Sequence, residues 1–186
     1  MNHTFLILSL LLLFICTSCD DNRHIRHYQV EKEPTPKISV VQTSTLSDIN
    51  WTAPAHWIST KGSSMRIGSF TVPYSTSEAD LSIIKLGGTA GGLAPNINRW
   101  RGQLNLGPHS EIDIQKYMKN GESQLGQFQW FTIINPENNE TAFLVSIFQT
   151  ETYAIFVKLS ATTNGISLLE SQFLDFCKSF TLGVSR

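Results

Sequence analysis

The chain has 186 residues and a formal net charge of −1, from 14 basic and 15 acidic side chains. Nucleic-acid-binding proteins normally carry a basic excess, so this balance argues against nucleic acid as a partner. Hydrophobic residues make up 41% of the chain, which is ordinary for a globular protein and excludes wholesale disorder. The length suits one domain with its own core, stable without a metal or a disulfide.

An apolar run near the N-terminus has the features of a secretory signal. It extends from Phe5 to Ile15, and its roughly eleven residues are too few to span a bilayer, which takes about twenty. Thr17-Ser18-Cys19 follows, with small residues at the two positions before a cysteine. This arrangement resembles the lipobox of bacterial lipoproteins. The resemblance implies diacylglycerol on the Cys19 sulfur and cleavage before Cys19, so that residues 1–18 are a signal peptide.

The lipid on Cys19 implies where the protein acts. Acyl chains such as palmitate hold a protein firmly to a membrane when two or more are attached. We therefore expect a membrane-anchored protein of the cell envelope, with its domain outside the cytoplasm and the membrane as a partner through Cys19. Asp20, the next residue, resembles the signal that retains enterobacterial lipoproteins at the inner membrane.

Residues 19–48 are predicted to be the lipidated cysteine and a flexible tether. The segment is polar, contains Pro34 and Pro36, and lacks a sustained hydrophobic period. His24 and His27 have a spacing that metal ligands use, but a tether places no Cys or carboxylate beside them. We expect no metal here, and we assign a single α+β domain to residues 49–186.

The domain is predicted to contain several strands and three helices. Apolar alternation and turn sequences predict strands at 65–72, 80–86, 127–134, 141–149 and 152–160. Pro73 is expected to end the first of them. Helices are predicted after the glycines at 87–92, at about 110–119 with Asn120-Gly121 as the stop, and at about 165–180. The first helix carries an apolar stripe of Leu93, Ile97, Trp100 and Leu104.

Two consecutive hairpins and segregated helices predict an α+β fold. We expect an antiparallel sheet of about five to six strands flanked by helices, rather than a doubly wound parallel sheet. The opening stretch at 51–57 (Trp-Thr-Ala-Pro-Ala-His-Trp) and the close of the last helix at 173–180 resemble the PsbP-like family of α/β/α sandwiches. The runs at 65–72, 86–93 and 96–104 resemble an uncharacterised family of bacterial envelope proteins. That resemblance implies fold and location, and no chemistry.

Cys177 is expected to be a core residue. If Cys19 carries lipid and the signal peptide is removed, Cys177 is the one remaining thiol, and no intrachain disulfide is possible. It shares the apolar side of the last helix with Phe173 and Phe180.

The glycine-rich loop at 87–92 is the strongest candidate binding feature. A helix that starts after small residues exposes unpaired N–H groups and a partial positive charge. Gly91 and Gly92 with Arg99 and Arg101 are therefore the speculative ligand-binding set, with an anion as the ligand. The loop lacks the G-x-G-x-x-G spacing, and no Lys-Ser or Lys-Thr follows it, so the favoured interpretation is a tight strand-to-helix turn.

No catalytic residue, cofactor or metal ligand is predicted. The chain has no G-x-S-x-G motif, and His56 and His109 lie beside proline-containing turns without a partner suggested by spacing. The favoured interpretation is a non-catalytic binding or assembly module that presents a surface to an envelope protein or to cell wall. The alternative is a small-anion or ligand-binding protein, or an enzyme, that uses the glycine loop 87–92 and Arg99.

Replacing Cys19 by Ser should abolish the incorporation of labelled fatty acid and release the protein from membranes, because no other residue has the lipobox context. Replacing Cys16 by Ser should leave labelling intact, since Ile15 gives Cys16 an unsuitable preceding residue. Labelling and fractionation of cells that express each variant measure both effects. Label retained on a membrane-bound Cys19→Ser protein would show that the lipobox interpretation is wrong.

Overall fold

The structure is a computed structural model that describes residues 49–183. The predicted signal peptide, lipidated Cys19 and tether lie outside the described residues. Within residues 49–183, no helix is both long enough and apolar enough to cross a membrane.

A seven-stranded antiparallel sheet with helices on its faces confirms the α+β prediction. The strands are β1 (Ile49–Asn50), β2 (Ile58–Ser59), β3 (Arg66–Tyr74), β4 (Ser77–Gly87), β5 (Lys119–Ser123), β6 (Gly126–Asn135), β7 (Asn138–Gln149), β8 (Tyr153–Ala161) and β9 (Thr181–Leu182). The helices are α1 (Leu93–Gln103), α2 (Glu111–Tyr117) and α3 (Thr163–Lys178). The sheet order is β2-β3-β4-β8-β7-β6-β5, while β1 and β9 form a separate antiparallel pair.

One face of the sheet packs against α3. The predicted apolar side of this helix is confirmed, since its members are at most 1% exposed: Ile166, Leu169, Phe173, Phe176, Cys177 and, just after the helix, Phe180. They pack against alternate residues of the central strands, which point to this face, such as Ile155 and Leu159 of β8. Aromatic rings account for much of this core, with Phe148 and Phe180 stacked at 5.0 Å between centroids.

The other face packs against α1. Ile97, Trp100 and Leu104 are buried as the stripe predicts, and Leu93 is half-buried. Trp100 meets the ring of Phe156 edge-on at 5.9 Å. Strands β7 and β8 are therefore covered on both faces over 142–148 and 153–161, which explains the nearly continuous apolar runs there.

Two local predictions were wrong. The helix predicted to reach residue 119 ends at Tyr117, and the following residues form β5, which pairs with β6 at the sheet edge. Gly121 lies against the ring of Phe128 in this pair, so it serves close strand approach rather than a helix stop. Pro73 lies inside β3 instead of ending it, because β2 pairs only with Phe70 and Thr71 and leaves Pro73 on an edge segment that tolerates a missing N–H.

The core position predicted for Cys177 is confirmed. The thiol is free and fully buried. Burial strongly raises the pKa of the Cys177 thiol, although the nearby Ser146 hydroxyl lowers it. The side chain is thus a neutral packing element without thiolate reactivity.

Gly121→Ala should destabilise the domain by about 1–3 kcal/mol, because its Cβ would overlap the fully buried Phe128 ring. Gly102→Ala in α1 is the matched control, since nothing lies within 4 Å of its Cβ position. That substitution should be neutral or stabilise by up to about 1 kcal/mol through helix propensity. Urea unfolding measures both values, and equal effects would contradict the close approach at Gly121.

Candidate functional site

The glycine loop forms the tight turn that the sequence predicts. Gly88, Gly91 and Gly92 have φ values of +64°, +82° and +79°, in the region that favours glycine. Ala90 also has a positive φ of +48°, which is strained for a residue with a Cβ. The Gly88 N–H donates to the Thr152 carbonyl at 2.8 Å and ties the loop to the start of β8.

Asn96 holds this loop against the first turn of α1. Its side-chain amide donates to the carbonyl of Ala90 at 2.8 Å and to that of Gly92 at 2.7 Å. Its Oδ1 accepts from Arg99 at 3.0 Å. Asn96 is 7% exposed, so these bonds are shielded from water. The sequence places Asn96 off the apolar stripe, and its burial follows from the loop curling back over the helix.

The four residues of the predicted ligand-binding set do not converge on one cavity. Gly91 and Gly92 border an open groove of about 720 Å³ between the start of α1 and α2. Arg99, two turns further along α1, borders a different cavity of about 180 Å³. Arg101 donates its Nε to the Gly107 carbonyl at 2.8 Å, and burial lowers its pKa.

The cavity beside Arg99 is lined by several charged side chains. It lies between α1 and the β3, β4 and β8 portion of the sheet. Its apolar lining consists of Met65, Ile84, Leu86, Trp100 and Phe156. Its polar lining consists of Arg66, Ser82, Arg99, Gln103 and Lys158. We call it the basic cavity, because three of its five polar side chains are cations.

A β-bulge places Arg66 at the basic cavity. The register between β3 and β4 shifts between Arg66 and Gly68. Residues three apart in a regular strand lie on opposite faces, but this shift places Arg66 and Ser69 on the same face of the sheet. The Arg66 guanidinium donates to the Ser69 hydroxyl at 2.9 Å. It also binds the Asp80 carboxylate through two bonds of 2.9 and 3.0 Å. This two-bond geometry fixes the guanidinium and balances its charge.

Lys158 is the cation held deepest in the basic cavity. Its Nζ donates to Gln103 Oε1 at 2.9 Å and lies 4.0 Å from the centroid of the Phe143 ring. Burial lowers the pKa of Lys158, Arg99 and Arg66 lower it further, and Asp80 acts in the opposite direction. Neither Gln103 nor Phe143 supplies a negative charge. Lys158 is therefore a partly desolvated cation without a bonded carboxylate.

Arg99 supplies the third cation. It is exposed, with its guanidinium carbon 5.5 Å from the centroid of the Trp100 ring. One of its five N–H donors is used by Asn96, which leaves the others available. The cavity thus combines Arg66, Arg99 and Lys158 with the single carboxylate of Asp80 nearby.

No group of three or more His, Cys, Asp or Glu side chains among residues 49–183 is arranged to hold a metal ion. His56 Nε2 lies 3.0 Å from Gln172 Oε1, and the His109 ring stacks on Tyr117 at 5.4 Å. Each histidine ring therefore contacts a side chain that belongs to neither the open groove nor the basic cavity.

The sequence alone did not indicate that Arg66, Lys158 and Gln103 line one cavity. One signal for Lys158 was present: it is the single charged residue in the apolar run of β8. A charged residue in a strand buried on both faces requires an explanation, because burial disfavours its charge. No such sequence signal indicated Arg66, because its position at the cavity depends on the bulge in β3.

No protein-family model and no curated protein matches the chain. Among solved structures, the chain is similar to the solution structure of cyanobacterial PsbP from Synechocystis sp. PCC 6803. The TM-score is 0.46 at 14% identity, over 75% of this chain and 95% of that one. The fold class rests on the sheet and helices described above.

Asn96→Asp should destabilise the domain by about 1–3 kcal/mol, because a carboxylate of the same size cannot donate to the Ala90 and Gly92 carbonyls. The loop at 87–92 should also become more sensitive to limited proteolysis. Urea unfolding and mapping of the cleavage sites test this. A change below about 0.5 kcal/mol, as at ordinary surface positions, would show that Asn96 does not hold the loop.

Proposed function

We propose that the domain is a non-catalytic binding module for a small anionic ligand, and that the basic cavity is its binding site. The observation that supports this most directly is the convergence of Arg66, Arg99 and Lys158 from β3, α1 and β8 on one cavity. With Asp80 as the nearby carboxylate, two positive charges are left without a bonded counterion.

The size of the cavity favours one small molecule. Pockets for drug-sized ligands have about 300–1,000 Å³. The basic cavity has about 180 Å³, so the ligand is smaller than that class. The open groove beside the glycine loop is larger, but its described lining contains one charged residue, Glu111, which would repel an anion.

Lys158 supports a role in binding because its position is costly for stability. Burial disfavours the ammonium charge, and the contacts to Gln103 and Phe143 compensate only in part. An apolar residue of similar length would fill the same space without that cost. An anion bound between Lys158 and Arg99 would supply the missing negative charge.

Binding is favoured over catalysis by the groups that line the cavity. They are mainly hydrogen-bond donors and apolar walls, which recognise and hold an anion, and the Gln103 Oε1 acceptor is already bonded to Lys158. General acid–base catalysis needs a proton acceptor paired with a proton donor close to the reacting atoms. The described lining includes no carboxylate and no histidine. Lipid on Cys19, which the lipobox implies, would keep this binding site near the membrane surface of the cell envelope.

Lys158→Met should weaken the binding of a small organic anion such as benzoate by about tenfold or more, because hydrogen bonds to charged groups contribute about 1.5–3 kcal/mol. Chemical shifts of the full-length protein during a benzoate titration measure this, with saturable changes expected at Arg66, Arg99 and Lys158. The free energy of unfolding should be unchanged or higher.

Lys85→Met is the matched control. Lys85 lies on the neighbouring strand β4, opposite Ile155, and its ammonium lies over the Tyr153 ring on the other face of the sheet. This variant should bind benzoate like the wild type. Equal loss of binding in both variants would indicate non-specific charge attraction and contradict the proposed site.

A further inference from the structure

The apolar half of the basic cavity restricts the uncharged part of the ligand. Trp100 and Phe156 are 3% and 4% exposed and form an aromatic wall, and Ile84 and Leu86 are partly buried beside them. Met65 is 62% exposed and borders the same cavity. A free inorganic anion would leave the exposed surface of Met65, Ile84 and Leu86 in contact with water. A ligand with an apolar body would remove their surface from water.

The charged half restricts the anionic group. Arg66 is already bound through both terminal nitrogens to the Asp80 carboxylate, which leaves Arg99 and Lys158 to contact a ligand. A phosphate monoester carries a charge of about −1.5 to −2 near neutral pH. The cost of moving an ion out of water rises steeply with its charge, and this cavity is small and half apolar. A monoanion is therefore the better match.

The donors and the charge together favour a carboxylate. A guanidinium presents parallel N–H groups that match two oxygens of a carboxylate or a phosphate, and of these two groups the carboxylate is the monoanion. Arg66 and Asp80 display this pairing at the edge of the same cavity. Arg99 retains unpaired N–H donors that are able to make the same arrangement with a ligand.

We infer that the ligand is an organic monocarboxylate with a compact apolar body, a single ring or a short branched chain, whose carboxylate binds Arg99 and Lys158 while the body lies against Trp100, Phe156 and Leu86. This inference rests on the proposed function and specifies its ligand class. The volume of about 180 Å³ excludes a long acyl chain or a two-ring body from full burial in the cavity.

Four probes test the inference by calorimetric titration of the full-length protein. Benzoate has both the carboxylate and the ring, acetate lacks the ring, benzamide lacks the charge, and phenyl phosphate carries a bulkier, more charged group. Benzoate should bind about tenfold more tightly than acetate, because the ring buries apolar surface. It should also bind more tightly than benzamide and phenyl phosphate.

A pair of substitutions locates the ring. Met65→Ser should weaken benzoate binding several-fold and leave acetate binding unchanged, because Met65 borders the apolar half of the cavity. Ile67→Ser is the control: it is 46% exposed in the neighbouring bulge and is not among the lining residues. Both positions are exposed, so both variants should fold normally.

The outcomes separate this inference from the proposed function. Equal affinity for benzoate and acetate, tighter binding of phenyl phosphate, or an equal response to both substitutions would overturn the ligand class and leave a small-anion site. Binding of benzamide as tight as that of benzoate would overturn both proposals, because charge would then contribute nothing. Failure of every probe to bind at millimolar concentration would also overturn both.

Discussion

The packing of the short helix α1 on the sheet determines where the basic cavity lies in this domain. An 11-residue helix is about 16 Å long, whereas the nine residues of β8 extend about 30 Å. Even aligned with the strands, α1 would cover only about half of that face. Trp100 and Leu104 pack on an apolar core, and the basic cavity lies beside this core between α1 and the sheet, where Lys158 and Ser82 replace apolar residues.

The two faces of the sheet consequently have different roles. The 16 residues of α3 cover the opposite face with a continuous apolar side that includes Phe173 and Phe176, and this core includes the fully buried Cys177. That face has the dense aromatic packing from which a small domain obtains most of its stability. Because α3 supplies this stability, the α1 face can hold a partly desolvated lysine and a strained Ala90 without unfolding.

The β3 bulge and the glycine loop position the side chains and the helix that line the basic cavity. The bulge at Ile67 turns Arg66 toward the helix-covered face, and the contact with Asp80 fixes its guanidinium there. The glycine loop sets where α1 begins, and Asn96 ties that loop to the helix. Arg99 is connected to the same network through Asn96 Oδ1. The glycine loop thus contributes to the basic cavity by positioning α1, while its own glycines border another groove.

Much of the fold was predictable from local patterns, because strand alternation, the apolar stripes of α1 and α3 and the turn residues depend on near neighbours in the chain. Cys177 was predictable as a core residue for the same reason. The edge strand β5 was not, because Gly121 is equally typical of a helix stop, and the contact with Phe128 that distinguishes the two is a tertiary one. Pro73 was wrongly predicted to end β3, because a proline is tolerated inside this strand only where β2 does not pair with it, and the extent of β2 is a tertiary feature.

The sequence by itself determined the charge balance, the lipobox resemblance at Cys19, the α+β class and the side chains of the two cores. It also identified Arg99 as a candidate, but combined it with Gly91 and Gly92, which border a different groove. Only the tertiary structure brought Arg99 together with Arg66 and Lys158. These residues lie on three elements separated by 33 and 59 positions along the chain, and a bulge, a helix start and a strand order together determine their meeting. No local pattern encodes such an arrangement, because the charge in the apolar run of β8 marks Lys158 alone and does not indicate which side chains meet it.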